Sequence, residues 1–259
     1  MKIIVVCVLY NPTDSILQKW KEKIQILPQF FFLFVDNSQK KIFDFENIGI
    51  QYAKKNLFDY VVFFDQDSDF SDYYLPDMVQ EYNHIKEKFP NLVILGPRII
   101  DKESHKEYKH KDANNNDDYL VCRELISSGS MVKTDDFDKI GLLEEKLFID
   151  YVDFEWCWRA KQNGYVCIKT KKISLMHEVG QRRRSFIGYP IILSSPIRYF
   201  YQYRNYFRLI KRSYVPLDWK KKVLVRKIFE LFTVPFIYHR NPKTLYYMIK
   251  GIVSGLFTI

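Results

Sequence analysis

Residues 60–70, YVVFFDQDSDF, decide how this chain folds. Tyr60 to Phe64 form an uninterrupted apolar and aromatic run, the pattern of a strand buried on both faces. The run stops at Asp65-Gln66-Asp67-Ser68, so clustered carboxylates stand where the hydrophobic strand ends. Open α/β sheets place their ligands beyond the carboxyl ends of their strands. Two carboxylates one residue apart at such an edge suit a hard divalent cation, which keeps waters and takes further oxygens from a phosphate. A polar loop after a core strand is the plain alternative, and D-x-D alone does not separate the two.

The sequence before this stretch repeats its pattern. Ile3–Leu9 is a β-rich run closed by Tyr10-Asn11-Pro12. Ile16, Leu17, Trp20, Ile24 and Leu27 follow at helical spacing, behind a cap at Thr13 or Asp14. Residues 30–35 read as a second buried strand, ending in Asp36-Asn37-Ser38, and a short helix begins near Asn47-Ile48-Gly49 and runs to about Lys55. After the central stretch, Leu75, Met78, Val79, Tyr82 and Ile85 mark an amphipathic helix, and residues 92–96 a fourth strand. Strands alternating with helices imply an α/β fold, a mostly parallel sheet with helices on both faces. Three successive strands that end in polar residues point to one crevice, although each ending also fits a simple turn.

Residues 101–119 are charged, Asn-rich and without periodicity, a loop or lid. Residues 120–126 are strand-like and lead into Ser127-Ser128-Gly129-Ser130, where small side chains either admit a ligand close to the backbone or make a tight turn. From about Asp153 helical spacing runs to a stop at Asn163-Gly164. Asp153 then sits at a helix N-terminus. Capping alone explains an aspartate there, yet the positive helix end also favours the ionised carboxylate that a general base must be. A strand pair, residues 166–170 and 173–176, reaches His177.

The 259 residues are 47% hydrophobic and 27% charged, a globular composition. Their net charge of +9 is unevenly spread: residues 181–259 hold 16 Lys and Arg against Asp218 and Glu230, leaving the first 180 net acidic. Basic and aromatic residues alternate through Arg182-Arg183-Arg184, residues 198–214 and Lys220-Lys221-Lys222, with Phe200, Tyr203, Tyr206, Phe207 and Ile210 on one broad helical face. The division predicted is a catalytic domain, 1–195, and a basic amphipathic helical extension, 196–259, that lies on an anionic membrane surface. No nucleic-acid recognition module is present in the pattern, and nucleic acid is not an expected partner. Cys7, Cys122, Cys157 and Cys167 have no metal-like spacing and read as buried free thiols of a reducing compartment. The opening MKIIVVCVLYNP reads as a strand rather than a leader, and no window reaches the ~20 apolar residues of a spanning helix. The expected location is cytoplasmic, peripheral at the inner face of the cell membrane.

Taken in order, Tyr10-Asn11-Pro12, Asp36-Asn37-Ser38, Asn47-Ile48-Gly49, Asp65-Gln66-Asp67-Ser68, Ser127-Ser128-Gly129-Ser130 and the run Asp150 to Trp156 resemble the inverting family-2 glycosyltransferases of GT-A fold, above all the bacterial rhamnosyltransferases that use dTDP-L-rhamnose. The resemblance covers roughly the first 210 residues, through the basic-aromatic segment 198–205. It implies that Tyr10, Asn11 and Asp36 contact the nucleoside, with Asn37, Asn47, Asp65 and Gln66 also on the donor side. It makes Asp65 and Asp67 the metal–diphosphate motif for Mg²⁺ or Mn²⁺, with His177 completing the metal site as in some relatives. Asp153 matches the carboxylate that deprotonates the acceptor hydroxyl, and Ser128, Gly129, Glu155 and Trp156 fall on the acceptor side. The Gln-x-x-Arg-Trp signature of processive members is not reproduced at Gln181-Arg182-Arg183-Arg184-Ser185, which implies transfer of a single sugar. The implied acceptor is a glycan or polyprenyl-linked saccharide of bacterial surface polysaccharide synthesis.

Two rivals stand beside this. A haloacid dehalogenase-type phosphatase would use Asp65 as nucleophile, but its motif usually opens the fold, whereas two strand–helix units precede Asp65 here. A non-enzymatic membrane-peripheral protein would do its work through the basic extension alone.

Overall fold

The computed structural model describes residues 1–38, 45–102, 104–107, 118–177, 183–186 and 189–257. Its frame is set by β1 (Ile3–Leu9), whose sequence IIVVCVL is buried almost throughout. Strands β2 (Phe31–Asp36) and β3 (Tyr60–Asp65) lie parallel on its two sides. Helices α1 (Asp14–Ile26) and α2 (Phe45–Lys55) make the crossovers. Thr13 caps α1, its hydroxyl accepting from the Ile16 amide, and buried Trp20 fixes the helix face that meets the sheet. The register pairs Leu9 with Asp36 and Val8 with Asp65, so the three polar strand ends emerge side by side at one edge.

Beyond α3 (Tyr74–Lys88) come β4 (Leu92–Asp101), β5 (Tyr119–Cys122), β6 (Met131–Lys133), α4 (Asp136–Ile140), α5 (Val152–Gln162) and β7 (Val166–His177). The sheet order is β2-β1-β3-β6-β4-β7-β5. Five strands run one way; β5 and β6 run against their neighbours. The short β6 between β3 and β4 was not visible in the sequence, because a three-residue strand shows no period. The strand pair expected at residues 166–176 is a single strand. Its polar middle is absorbed as a register shift, with Gly96 paired to Lys169 and Arg98 to Ser174. Apolar side chains fill both faces: Trp20, Leu75, Met78 and Tyr82 on one, Ile50, Ala53, Phe137 and Trp156 on the other. All four cysteines are buried and free.

The hairpin of β8 (Arg183–Phe186) and β9 (Tyr189–Ile192) leads to α6 (Pro196–Leu209), α7 (Leu217–Thr233), a π-helical turn (Val234–Tyr238) and α8 (Pro242–Phe257). None of the described helices is long and apolar enough to cross a membrane. Most of the expected lid, residues 103 and 108–117, lies outside the described residues, as do Gln181 and Arg182.

Candidate active site

The edge where β1, β2 and β3 end gathers most of the residues the sequence singled out. Tyr10 is exposed just past β1 and Asp36 at the end of β2. The Ser38 hydroxyl and amide both donate to Asp36 Oδ1, at 2.5 and 2.8 Å, which holds that carboxyl below the ordinary range. Ser38 Oγ also accepts from the Asn11 amide, and the Asn37 amide donates to Leu9 O, closing β1 onto β2. Gln66 closes β1 onto β3 instead: its amide group accepts from Tyr10 N at 2.8 Å and donates to Tyr10 O at 3.2 Å. Gln66 is therefore a brace between two strand ends, committed through both amide atoms to protein rather than to a ligand.

The D-x-D turn is held from two sides. Trp20 Nε1 donates to Gln66 O and Lys19 Nζ to Ser68 O, from α1. Asp69 and Met176 exchange backbone hydrogen bonds at 3.1 and 3.0 Å, tying the turn to the end of β7. That bridge sets His177 across from the two aspartates, with Nε2 3.7 Å from Asp65 Oδ2 and Nδ1 4.0 Å from Asp67 Oδ1. One ligand atom from each of Asp65, Asp67 and His177 lies within 4.8 Å of the others. His177 Nδ1 is buried without a hydrogen-bond partner. An orphaned buried imidazole nitrogen facing two carboxylates is costly unless a cation joins them. Two oxygens and one imidazole nitrogen form a donor set that Mg²⁺ or Mn²⁺ accepts, so the residues fit the expected metal.

Asp153 stands on the first turn of α5, and its Oδ1 accepts from the Phe154 amide at 2.9 Å. Surrounding protein pushes its pKa from 3.8 to about 7, with backbone hydrogen bonds from Phe154 and Ser127 opposing and the Asp65 charge adding to the rise. The base candidate and the metal candidates thus share one electrostatic neighbourhood. The sequence reading missed a fourth carboxyl there. Glu46, at the start of α2, is pushed to about 8 by burial and by the charges of Asp153 and Asp65, while the Ser127 hydroxyl bonds to it. Its place beside Asn47-Ile48-Gly49 was the only available signal. Two carboxyls facing each other near neutral pH favour one protonated and one ionised member.

The loop that delivers Asp153 is strained. Phe148, Asp150 and Tyr151 all have positive φ, at 65°, 67° and 70°. Helix α6 holds it. The Asn205 amide, fully buried, donates to the carbonyls of Leu147 (2.8 Å), Ile149 (2.8 Å) and Asp150 (3.1 Å). Arg204 donates to the Lys146 and Leu147 carbonyls, and Arg198 grips the Asp150 carboxylate through Nη2 at 2.9 Å and Nε at 3.1 Å. The Asp65 charge also reaches Arg198, so this cation borders the candidate metal cluster as well as the loop that carries Asp153.

Five expected contacts with ligand are corrected by burial. Asn47 is 1% exposed and clamps Leu143, accepting from its amide and donating to its carbonyl. Ser128 is buried, bonded to Ser68 Oγ at 2.8 Å behind the D-x-D turn. Gly129 is a tight turn: its φ is +75°, and an added Cβ would lie 2.5 Å from Tyr74 Oη. Glu155 is wholly buried, paired with Arg159 and Arg212 and accepting from the Tyr214 hydroxyl at 2.6 Å. Trp156 is core, its Nε1 donating to Gly141 O. Of the five, Ser128 still touches the candidate metal cluster, its hydroxyl bonding to the Asp65 carboxyl.

No profile of a known protein family matches the chain. It is 30% identical over 222 residues to the dTDP-rhamnosyl transferase RfbF of Shigella flexneri, which spans 82% of this chain and 72% of that protein. Among solved structures, GalNAc-T7 with UDP, GalNAc and Mn²⁺ aligns with a TM-score of 0.57 at 14% identity, over 96% of this chain and 55% of that one. TarS 1–349 of S. aureus with UDP aligns with a TM-score of 0.52 at 12% identity, over 99% and 89%. At such identities these two likenesses are of fold.

Proposed function

The chain belongs to the glycosyltransferase family of the dTDP-rhamnosyl transferase RfbF, and from that premise we propose that it moves a single L-rhamnosyl group from dTDP-L-rhamnose, with inversion, to a hydroxyl of a glycan or polyprenyl-linked saccharide in bacterial surface polysaccharide synthesis. The phosphatase and the non-enzymatic reading fall away with that membership. The observation that carries the proposal is the neighbourhood of Asp153 and the Asp65–Asp67–His177 cluster at the ends of the strands.

In this reading Tyr10, Asn11, Asp36 and Asn37 receive the nucleoside at the β1–β2 edge. A divalent cation held by Asp65, Asp67 and His177 would supply Lewis-acid neutralisation of the leaving diphosphate. Asp153 accepts the proton of the acceptor hydroxyl, a step worth roughly 10²–10⁴-fold. Glu46, held protonated near neutral pH, keeps a second negative charge away from Asp153. Residues 1–195 carry the chemistry, and the helices of 196–259 hold the base loop and face an anionic membrane from its cytoplasmic side.

A panel of nucleotide sugars tests this. Turnover of dTDP-L-rhamnose that needs Mg²⁺ or Mn²⁺, stops in EDTA and gives a product of inverted anomeric configuration is the expected result. Turnover confined to a hexose nucleotide such as a UDP-galactofuranose would displace rhamnose while leaving glycosyl transfer, and turnover of none would remove both.

A further inference from the structure

Helix α8 is apolar on opposite faces. Its inner face, Thr244, Met248, Gly251 and Gly255, is buried. A Cβ at Gly251 would lie 2.5 Å from Phe200 O, and one at Gly255 2.6 Å from Arg204 O, so α8 rests on the backbone of α6 and cannot roll. Its outer face, Tyr246, Ile249, Val253, Leu256 and Phe257, is exposed, with Phe257 81% accessible. These positions are spaced three and four apart, one stripe of the helix. Helix α7 repeats the arrangement: Trp219, Val223, Lys227 and Glu230 face inward, while Val225, Ile228 and Phe232 are exposed. Phe236 and Ile237 expose more apolar surface on the turn between them. Exposed apolar stripes of this kind mark an interaction site.

Charge identifies the occupant. Residues 217–257 contain eight Lys and Arg and only two acids, Asp218 and Glu230. Asp218 is bonded to Arg123, and Glu230 is buried against Lys227. Lys221, Lys222, Arg240, Lys243 and Lys250 remain exposed beside the apolar stripes. An apolar stripe edged by cations matches a layer whose surface is anionic and whose interior takes up side chains, whereas two copies of this face would repel each other. We propose that α7, the turn after it and α8 lie in the plane of an anionic bilayer with Val225, Ile228, Phe232, Ile249, Val253 and Phe257 entering the acyl boundary. This deepens the membrane side of the proposed function and rests on it. It also adds an apolar, salt-resistant component to what charge alone would provide. Because α8 rests on α6, and Arg198 at the start of α6 grips the base loop, the docked face is carried by the helix that borders the site.

The test is co-sedimentation of the full-length chain with vesicles of phosphatidylglycerol and phosphatidylcholine in a 3:7 ratio (about that proportion suffices for an anionic surface), against pure phosphatidylcholine. Binding to the anionic vesicles, with a fraction retained at high salt, is expected. An Ile249→Ser, Val253→Ser, Phe257→Ser variant should lose roughly tenfold or more of that binding and all of the salt-resistant part, with its melting temperature and its turnover of soluble nucleotide sugar unchanged. No binding at low salt, binding fully abolished by salt, or sedimentation velocity showing a dimer that the variant dissolves would each overturn the proposal. Failure of donor turnover with vesicle binding intact would instead sink the enzymatic reading and leave the docking face standing.

Discussion

Asp153→Asn should stabilise the protein while silencing it, and the gain should depend on pH. The carboxyl of Asp153 titrates near 7 in the folded chain against 3.8 ordinarily. A raised carboxylate pKa means that ionisation is resisted by the fold, so the ionised group costs stability. That cost is absent below about pH 4, grows as the unfolded chain ionises and the folded one does not, and is complete above about pH 7. At about 1.4 kcal/mol per tenfold change in proton affinity the full cost is ~4 kcal/mol, and partial exposure of the side chain to solvent reduces it to ~2 kcal/mol. Asparagine carries no charge, and its Oδ1 still accepts from the Phe154 amide. The variant should therefore melt a few degrees above wild type at pH 8, roughly 4–8 °C for a chain of this size, with little difference at pH 4. Differential scanning calorimetry of both proteins in EDTA at the two pH values gives the answer. A gain equal at both pH values, or a loss at pH 8, would refute the claim that the fold resists the charge on Asp153.

Three other outcomes follow from the same geometry. The kcat/KM of the wild type should fall about tenfold per pH unit below about 7, because the base must be ionised, and fall again above about 8 as Glu46 acquires charge; Glu46→Gln should keep the acid limb and flatten the alkaline one. Asp67→Ala should weaken Mn²⁺ binding by tenfold or more in calorimetry, with the melting temperature of the metal-free protein little changed. Asn205→Leu should cost about 1–3 kcal/mol by leaving buried carbonyls unpaired, and should lower kcat more than it raises the KM for donor, since the base loop loosens while the donor edge does not.

The placement of the proposed donor edge was largely legible because it depends on short-range pattern. Apolar runs that stop at Tyr10, Asp36 and Asp65 announce buried strands, and parallel pairing of consecutive strands then forces their ends together. His177 was also readable, as the residue after a strand, although the bridge between Asp69 and Met176 that brings it to the aspartates was not. Roles decided by distant partners were not legible. Glu155 looked available to an acceptor; Arg159, four residues on, could have hinted at an ion pair, but Arg212 and Tyr214, 57 and 59 residues further on, complete its burial. Ser128 and Gly129 fitted either a ligand or a turn, and the Tyr74 hydroxyl, from another helix, decided for the turn. Glu46 escaped because a carboxyl at a helix start is ordinary until Asp153 is placed opposite it.

The base loop also bears on how the chain can be divided. Three non-glycine residues with positive φ within four positions cost on the order of 1–2 kcal/mol each, so the loop does not hold this shape by itself. The sheet domain supplies little to it: the carbonyls of Lys146, Leu147, Ile149 and Asp150 are taken by Arg204 and Asn205, and the Asp150 carboxylate by Arg198, all on α6. Arg212, just beyond α6, bonds Glu155 on the same α5 that carries Asp153, and Glu144 upstream of the loop. A fragment of residues 1–195 would keep the donor edge and the Asp65–Asp67–His177 cluster but lose every one of these restraints. It should bind Mn²⁺ and nucleoside diphosphate in calorimetry and transfer nothing. A chain ending at 216 retains α6 and Arg212 and should regain measurable transfer to a soluble acceptor. Full activity in the shorter fragment would show that the sheet alone positions the base.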